Sequence, residues 1–261
     1  MDNRLATPTS LRLGPAPGWA AAVHAARRPL AGGGRALLLW LHGGGFTGGA
    51  PADTPQRAEL LASAGADVVT LDYPVAQPFP TALAAAFEAL QAVAARPGQL
   101  TGTPHTALFV GGEEAGGNLA AALAMMARDQ QAPQIAGQLL VTPMLDPALG
   151  SASMRDGECG GCECQYAKGW QVYLGDSTRA DHPYAAPLNA TRLGGLAPAL
   201  VLGVQGHPLN DEARRYAAAL RAHGGCASDL TLASLNACDA LTPIHEFLGQ
   251  ATRRALSTNP A

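Results

Sequence analysis

The stretch TALFVGGEEAGGNLA, residues 106–120, decides the fold. Its first five residues are mostly apolar, which is typical of a strand buried on both faces of a parallel sheet. Small residues follow, and the next apolar periodicity predicts a helix over residues 118–128. A strand, a tight turn and a helix in this order place residue 114 on a strained turn at the carboxyl end of the strand. Residue 114 is a glutamate.

The same alternation extends over most of the chain. Further strands are predicted at residues 36–41, 67–71, 137–141, 198–204 and 229–233. Further helices are predicted at residues 55–64, 81–95, 211–223 and 245–256. Strands that alternate with helices of this length indicate right-handed βαβ units. We therefore expect an α/β fold with a mostly parallel sheet flanked by helices.

Two segments depart from this alternation. Residues 1–35 are rich in Pro, Gly, Ala and Arg and show weak periodicity. Residues 149–186 are rich in Gly, Ser, Asp and Cys, with one short helical piece near residues 166–174. Ligands of open α/β sheets bind beyond the carboxyl ends of the strands, so the second segment predicts a reduced, irregular cap over the site. No repeat or long linker interrupts the pattern, and we expect a single domain over residues 1–261.

Composition narrows the classes of partner. The chain has 261 residues, of which 48% are hydrophobic and 14% charged, so a sizeable buried core is expected. A formal net charge of −3 gives no reason to expect nucleic acid or an anionic membrane as partner. The N-terminal residues lack an apolar signal core, which predicts a cytoplasmic protein with reduced thiols. We expect a small-molecule ligand or substrate, and the sequence predicts no oligomeric state.

Three motifs in order carry a resemblance to a known family. They are His42-Gly43-Gly44-Gly45-Phe46, the segment DYPVAQPFP at residues 72–80, and the turn GEEAGGNLA at residues 112–120. Together they resemble the hormone-sensitive-lipase-like esterases of the α/β-hydrolase superfamily. The resemblance implies an α/β-hydrolase fold and an oxyanion hole formed by the backbone N–H groups of Gly43, Gly44 and Ala115.

The catalytic positions implied by this resemblance are changed. Glu114 stands where the family has its nucleophilic serine. His207, in the segment HPLNDE, stands in the place of the triad aspartate, and His245, in IHEF, is similar to the family's catalytic histidine. A carboxylate is a poor nucleophile toward esters, so we do not expect ordinary serine esterase activity.

Three hypotheses follow from the changed positions. The first is a pseudohydrolase that binds a small molecule, as the plant gibberellin receptors do on a similar scaffold. The second is a metal-dependent enzyme in which Glu114, His207 and His245 form a 2-His-1-carboxylate site for iron or zinc. The third is a hydrolase in which Glu114 acts as general base on a water molecule.

Other candidate groups have simpler interpretations. Cys159, Cys162 and Cys164 could ligate a metal, but their spacing departs from paired zinc motifs, and reduced thiols in the cap are favoured. Asp146 is interpreted as a turn residue. Asp211 and Glu212 are expected to stabilise the N-terminus of the following helix.

Overall fold

A computed structural model describes residues 9–13, 18–31, 33–53, 55–157 and 164–258. These residues form an eight-stranded sheet in the order β1-β2-β4-β3-β5-β6-β7-β8. The strands are β1 (Thr9–Leu13), β2 (Trp19–His24), β3 (Ala36–Leu41), β4 (Ala66–Leu71), β5 (Ala107–Glu113), β6 (Gly137–Val141), β7 (Ala199–Val204) and β8 (Ala227–Leu232). β2 pairs antiparallel with β1 and β4, whereas β4, β3 and β5 to β8 run parallel.

Helices cover both faces of the sheet. They are α1 (Pro55–Ser63), α2 (Thr81–Ala95), α3 (Pro97–Thr101), α4 (Ala115–Asp129), α5 (Ala152–Asp156), α6 (Gln165–Leu174), α7 (Asn210–Ala222) and α8 (Ala237–Thr258). Buried residues of α1 and α8 belong to one apolar core, and those of α2, α4, α6 and α7 to the other. The α/β fold with flanking helices, expected from the sequence, is confirmed.

The central strands explain why the sheet forms here. Every residue of β3 and β4 is buried. In β3, Leu37 and Leu39 face one core while Leu38 and Trp40 face the other. Burying a leucine side chain stabilises the fold by about 1.5–3 kcal/mol, so a continuous apolar run suits a strand covered on both sides.

The helix after β5 begins three residues before the predicted start. α4 begins at Ala115, and its first turn contains Gly116. A Cβ atom on Gly116 would lie 2.2 Å from the carbonyl oxygen of Leu41, so glycine allows the helix to approach β3 directly. This close approach brings the turn before α4 beside the loop that follows β3.

The ends of the chain differ most from the expectations. The described part of residues 1–35 contains β1 and β2, which extend the sheet beyond β4. β1 is mostly exposed, and β2 is rich in alanine, which has weak strand propensity, so the apolar pattern did not reveal them. α8 begins at Ala237 rather than at residue 245 and continues through Pro243. In the described residues, no helix is long and apolar enough to cross a membrane.

Candidate functional site

The turn between β5 and α4 presents Glu114 at the carboxyl edge of the sheet. Its backbone adopts φ 48° and ψ −112°, a region that costs energy for a residue with a side chain. Neighbouring segments hold the turn in place: the Glu114 N–H donates to Val141, and its carbonyl accepts the N–H of Met144 at 3.0 Å. The strained turn predicted at residue 114 is therefore present.

The carboxylate of Glu114 accepts a hydrogen bond from the loop after β3. The backbone N–H of Gly44 donates to Oε2 at 3.0 Å. The backbone of Gly43 passes the same oxygen, because a Cβ atom built there would lie 3.3 Å from it. Of the three donors expected to form the oxyanion hole, the structure thus shows Gly44 bonded to the side chain of Glu114, while Ala115 is buried at the start of α4.

Helix α6 covers the carboxylate from the other side. The hydroxyl of Tyr166 donates to Glu114 Oε1 at 3.1 Å. The aromatic ring of Tyr173, on the same helix, stacks on Phe46 with ring centroids 3.8 Å apart. A Cβ atom on Gly169 would lie 1.9 Å from the carbonyl oxygen of Gly45, so only glycine allows this helix to rest on the loop.

Tyr166 is the functional residue that sequence reasoning missed. It follows Glu114 by 52 residues and lies in the irregular cap. No short motif connects the two segments, so their contact depends on how α6 packs against the loop at residues 42–46. Helix α6, which belongs to the segment expected to form a cap, contributes a hydrogen bond as well as apolar cover.

The second motif supports the loop from beneath. The hydroxyl of Tyr73 donates to the carbonyl oxygen of His42 at 2.8 Å, and the two rings stack with centroids 4.2 Å apart. Burial lowers the pKa of His42 below its usual value, against the opposing hydrogen bond to Gly43, so the ring favours its neutral form. These contacts fix the start of the loop that carries Gly44.

His207 lies near Glu114 but does not hydrogen-bond to it. Its Nε2 is 4.0 Å from Glu114 Oε1, beyond hydrogen-bond distance. The N–H of Leu209 points at Nδ1 at 3.2 Å, which assigns the proton of the neutral ring to Nε2. Burial lowers the pKa of His207, whereas the charges of Glu114 and Glu113 oppose that shift.

The structure does not bring His245 to this site. Its Nδ1 lies 2.9 Å from the carbonyl oxygen of Ala64 and 3.1 Å from Arg28 Nε, at the amino edge of the sheet. Because α8 begins at Ala237, residue 245 is eight positions down the helix, or about 12 Å. The loop after β8, residues 233–236, reaches the carboxyl edge and contains no histidine.

The metal arrangement expected from Glu114, His207 and His245 is therefore not formed. Among the described residues, no group of three His, Cys, Asp or Glu side chains is placed to hold a metal ion. Cys159 and Cys162 lie outside the described residues. Cys164 is a half-buried free thiol at the start of α6.

An ion pair below the turn ties three elements together. Arg57 of α1 donates to both carboxylate oxygens of Glu113, at 2.9 and 3.1 Å. The same guanidinium donates to the carbonyl oxygen of Leu235 in the loop after β8. The pair is largely buried, with side-chain exposures of 13% and 20%, so it holds the turn against α1 and that loop.

The acidic residues near α7 have different roles from one another. Asp146 accepts the N–H of Ala148, as expected for a turn residue. Asp211 accepts the N–H of Ser153 and pairs with Arg214. Asp211 and Glu212 both lie in the first turn of α7, but the carboxylate of Glu212 bonds outside its helix. It is 1% exposed and accepts the N–H groups of two residues after β6, Leu145 and Asp146.

Burial also changes the acidity of Glu212. Removal from water raises the pKa of its carboxyl group to about 8, and the charge of Asp146 adds to that shift. The two backbone N–H bonds and Arg215 act in the opposite direction. The group thus favours its protonated form near neutral pH.

Comparison with known proteins agrees with this geometry. A family model described as the alpha/beta hydrolase fold matches residues 38–232. The carboxylic ester hydrolase LipN of Mycobacterium tuberculosis is 36% identical over 209 residues, which are 76% of this chain and 55% of LipN. The esterase LipI of the same species is 30% identical over 223 residues, which are 82% of this chain and 66% of LipI.

Solved structures give the same answer. A bacterial heroin esterase superposes with a TM-score of 0.81 at 27% identity, covering 98% of this chain and 86% of its own. The thermostable carboxylesterase EstE1, cloned from a metagenomic library, gives 0.77 at 27% identity, covering 98% and 90%. A turn and loop of this kind on such a sheet define the α/β-hydrolase fold that these esterases share.

The chain belongs to the α/β-hydrolase family, with carboxylesterase-like relatives. The resemblance to hormone-sensitive-lipase-like esterases is confirmed. The chain spans 55% and 66% of the lengths of LipN and LipI.

Proposed function

We propose that this α/β hydrolase lacks serine-esterase chemistry and binds a small molecule beside Glu114. The observation that carries the proposal is the hydrogen bond from the Gly44 N–H to Glu114 Oε2, at 3.0 Å. An esterase keeps such a donor available for the negative charge that develops on the substrate oxygen. Here a carboxylate oxygen of the protein already accepts it, so a substrate carbonyl finds the donor occupied.

The surrounding groups also fail to supply a base for a serine. Nucleophilic serine needs a histidine beside it, which an acid orients. His207 Nε2 is 4.0 Å from Glu114 Oε1, and a serine hydroxyl would end two bonds closer to the backbone. A serine hydroxyl at residue 114 would therefore not reach the position that Oε1 occupies. The opposite ring nitrogen faces the N–H of Leu209 rather than a carboxylate.

The exposed part of the carboxylate indicates what the site would bind. The side chains of Glu114 and His207 retain 21% and 23% exposure, while Tyr166, whose ring lies beside both, is buried. A carboxylate surrounded by aromatic side chains favours a ligand with a hydrogen-bond donor on an apolar body. We propose an amine, amide or hydroxyl group facing Glu114 as the recognition element.

The experiment compares hydrolysis in the wild-type protein with that in Glu114→Ser, with Glu114→Ala as the matched control. We expect no labelling of the wild-type protein by a fluorophosphonate probe and no burst with p-nitrophenyl acetate. Glu114→Ser should hydrolyse the ester no faster than Glu114→Ala, because in the described part of the chain no histidine is hydrogen-bonded to the side chain of residue 114. Circular dichroism of each variant checks that the fold is retained.

Two outcomes would overturn this proposal. Fluorophosphonate labelling of the wild-type protein would show an activated serine elsewhere in the site. Metal-free ester turnover that disappears in Glu114→Gln would instead assign Glu114 as general base on water. Binding itself is measured by thermal shift with a library of small amines, amides and alcohols, and we expect stabilisation by a hit to disappear in Glu114→Ala.

A further inference from the structure

A cavity lies at the edge of the sheet opposite to the edge that carries Glu114. Its volume is about 300 Å³, at the lower end of the range for small-ligand pockets. The wall includes Gly65 and Arg35, the residues that immediately precede β4 and β3. Because β3 and β4 run parallel and pair from their first residues, the cavity lies at the amino edge of the sheet.

The charged groups that line this cavity are mostly positive. Arg27, Arg28 and Arg35 line it together with one carboxylate, that of Asp67. Three positive charges and one negative charge give the wall a formal charge of +2, although the whole chain carries −3. This concentration of guanidinium groups is local and would attract a small anion.

The one carboxylate in the wall already accepts three hydrogen bonds. Asp67 is 1% exposed and accepts the Ala26 N–H at 2.8 Å, the Arg35 guanidinium at 2.6 Å and His105 Nε2 at 2.8 Å. Although burial acts to raise the pKa of Asp67, the bonds from His105, Ala26 and Arg35 hold it below the usual value. Asp67 therefore compensates Arg35, and neither Arg27 nor Arg28 is paired with it.

The remaining two guanidinium groups have weaker compensation. Arg27 Nη2 lies 3.9 Å from the carboxylate of Glu59, and both side chains are more than a third exposed. Arg28 donates its Nε–H to a histidine ring, His245 Nδ1, at 3.1 Å. That ring nitrogen also faces the carbonyl oxygen of Ala64. It can accept the N–H of Arg28 when unprotonated or donate to Ala64 when protonated, but it cannot do both at once.

We propose that this cavity is a binding site for a phosphate group, held by Arg27 and Arg28 with Arg35 at its edge. The planar guanidinium presents paired N–H donors that match two phosphate oxygens, and two adjacent arginines can share one dianion. The ligand is either inorganic phosphate or a small phosphate monoester. This site lies at the amino edge of the sheet and does not depend on the function proposed for Glu114.

Isothermal titration of the full chain with inorganic phosphate, and separately with glycerol phosphate, tests the proposal at low and physiological salt. We expect saturable binding of one equivalent that weakens as salt is raised. Arg28→Gln should weaken it roughly tenfold, and the double variant Arg27→Gln/Arg28→Gln should abolish it. Tighter binding of glycerol phosphate than of phosphate would identify a monoester as the ligand, and the reverse order would identify the free ion.

The matched control removes the same charge outside the cavity. Arg254, on the last turns of α8, lies beside Cys226 and does not line the cavity. Arg254→Gln should bind phosphate as the wild-type protein does. If Arg254→Gln and Arg28→Gln weaken phosphate binding equally, the effect comes from the net charge of the protein and the proposed site is refuted. The absence of saturable phosphate binding would also refute it. If Arg28→Gln fails to fold, Arg28→Lys replaces it, because lysine keeps the charge but loses the paired donors. We expect its affinity for phosphate to lie between that of the wild-type protein and that of the double variant.

Discussion

The link between Glu114 and the cap helix should be measurable as a coupling free energy. Replacing Tyr166 by phenylalanine removes the hydroxyl that donates to Glu114 Oε1 at 3.1 Å. A hydrogen bond to a charged group contributes about 1.5–3 kcal/mol to stability, and the 21% exposure of the Glu114 side chain reduces this figure. We expect a coupling free energy of about 1–2 kcal/mol between the two side chains.

The assay is a double-mutant cycle with Tyr166→Phe, Glu114→Ala and the double variant, each unfolded in urea. The coupling is the part of the change in the free energy of unfolding that is not the sum of the two single changes. Contacts of Tyr166 with other neighbours cancel, because Tyr166→Phe removes them both in the wild-type protein and in Glu114→Ala.

Tyr184 provides the control for this cycle. Its hydroxyl donates to Asp129 at 2.6 Å, so Tyr184→Phe also removes a phenol-to-carboxylate bond. Paired with Glu114→Ala, it should show effects that add to within about 0.5 kcal/mol. A coupling for Tyr166 as small as that of Tyr184 would refute the view that Glu114 joins the cap to the loop at Gly44.

Two further predictions concern the residues around the turn. Glu212 is protonated in the folded state up to a pKa of about 8 but ionises near 4.5 when unfolded, so its contribution to stability falls as pH rises between these values. Glu212→Gln should remove this slope, about 1.4 kcal/mol per pH unit at most, and parallel urea-midpoint profiles from pH 5 to 8 in both proteins would contradict it. Arg57→Gln leaves Glu113 without its partner and should cost about 2 kcal/mol in urea unfolding, between the values for exposed and buried pairs. As a control, Arg27→Gln removes the exposed pair with Glu59, which spans 3.9 Å, and should lower the free energy of unfolding by less than about 0.5 kcal/mol. Equal losses in Arg57→Gln and Arg27→Gln would contradict a stabilising role for the Arg57–Glu113 pair.

The amino-acid sequence alone determined the class of fold and the glutamate at the turn after β5. Apolar runs such as β3 report burial on both faces, which is a local property of the chain. The turn around Glu114 is equally local, because a strand, small residues and a helix occur within fifteen positions. The absence of serine at that turn needs no coordinates.

Tertiary structure decided which side chains meet Glu114. Tyr166 reaches it because α6 packs on the loop at residues 42–46, a contact between segments far apart in the chain. His245 was expected there from its short motif, but α8 starts at Ala237 and carries that ring to the opposite edge. Each residue by which the start of a helix shifts along the sequence moves a given side chain by about 1.5 Å along the helix axis. A motif match within a helix therefore does not locate its side chains without the position of the helix start. Three arginines lie around the buried Asp67 because the segment between β2 and β3 folds back on β4, a contact that the sequence pattern does not predict.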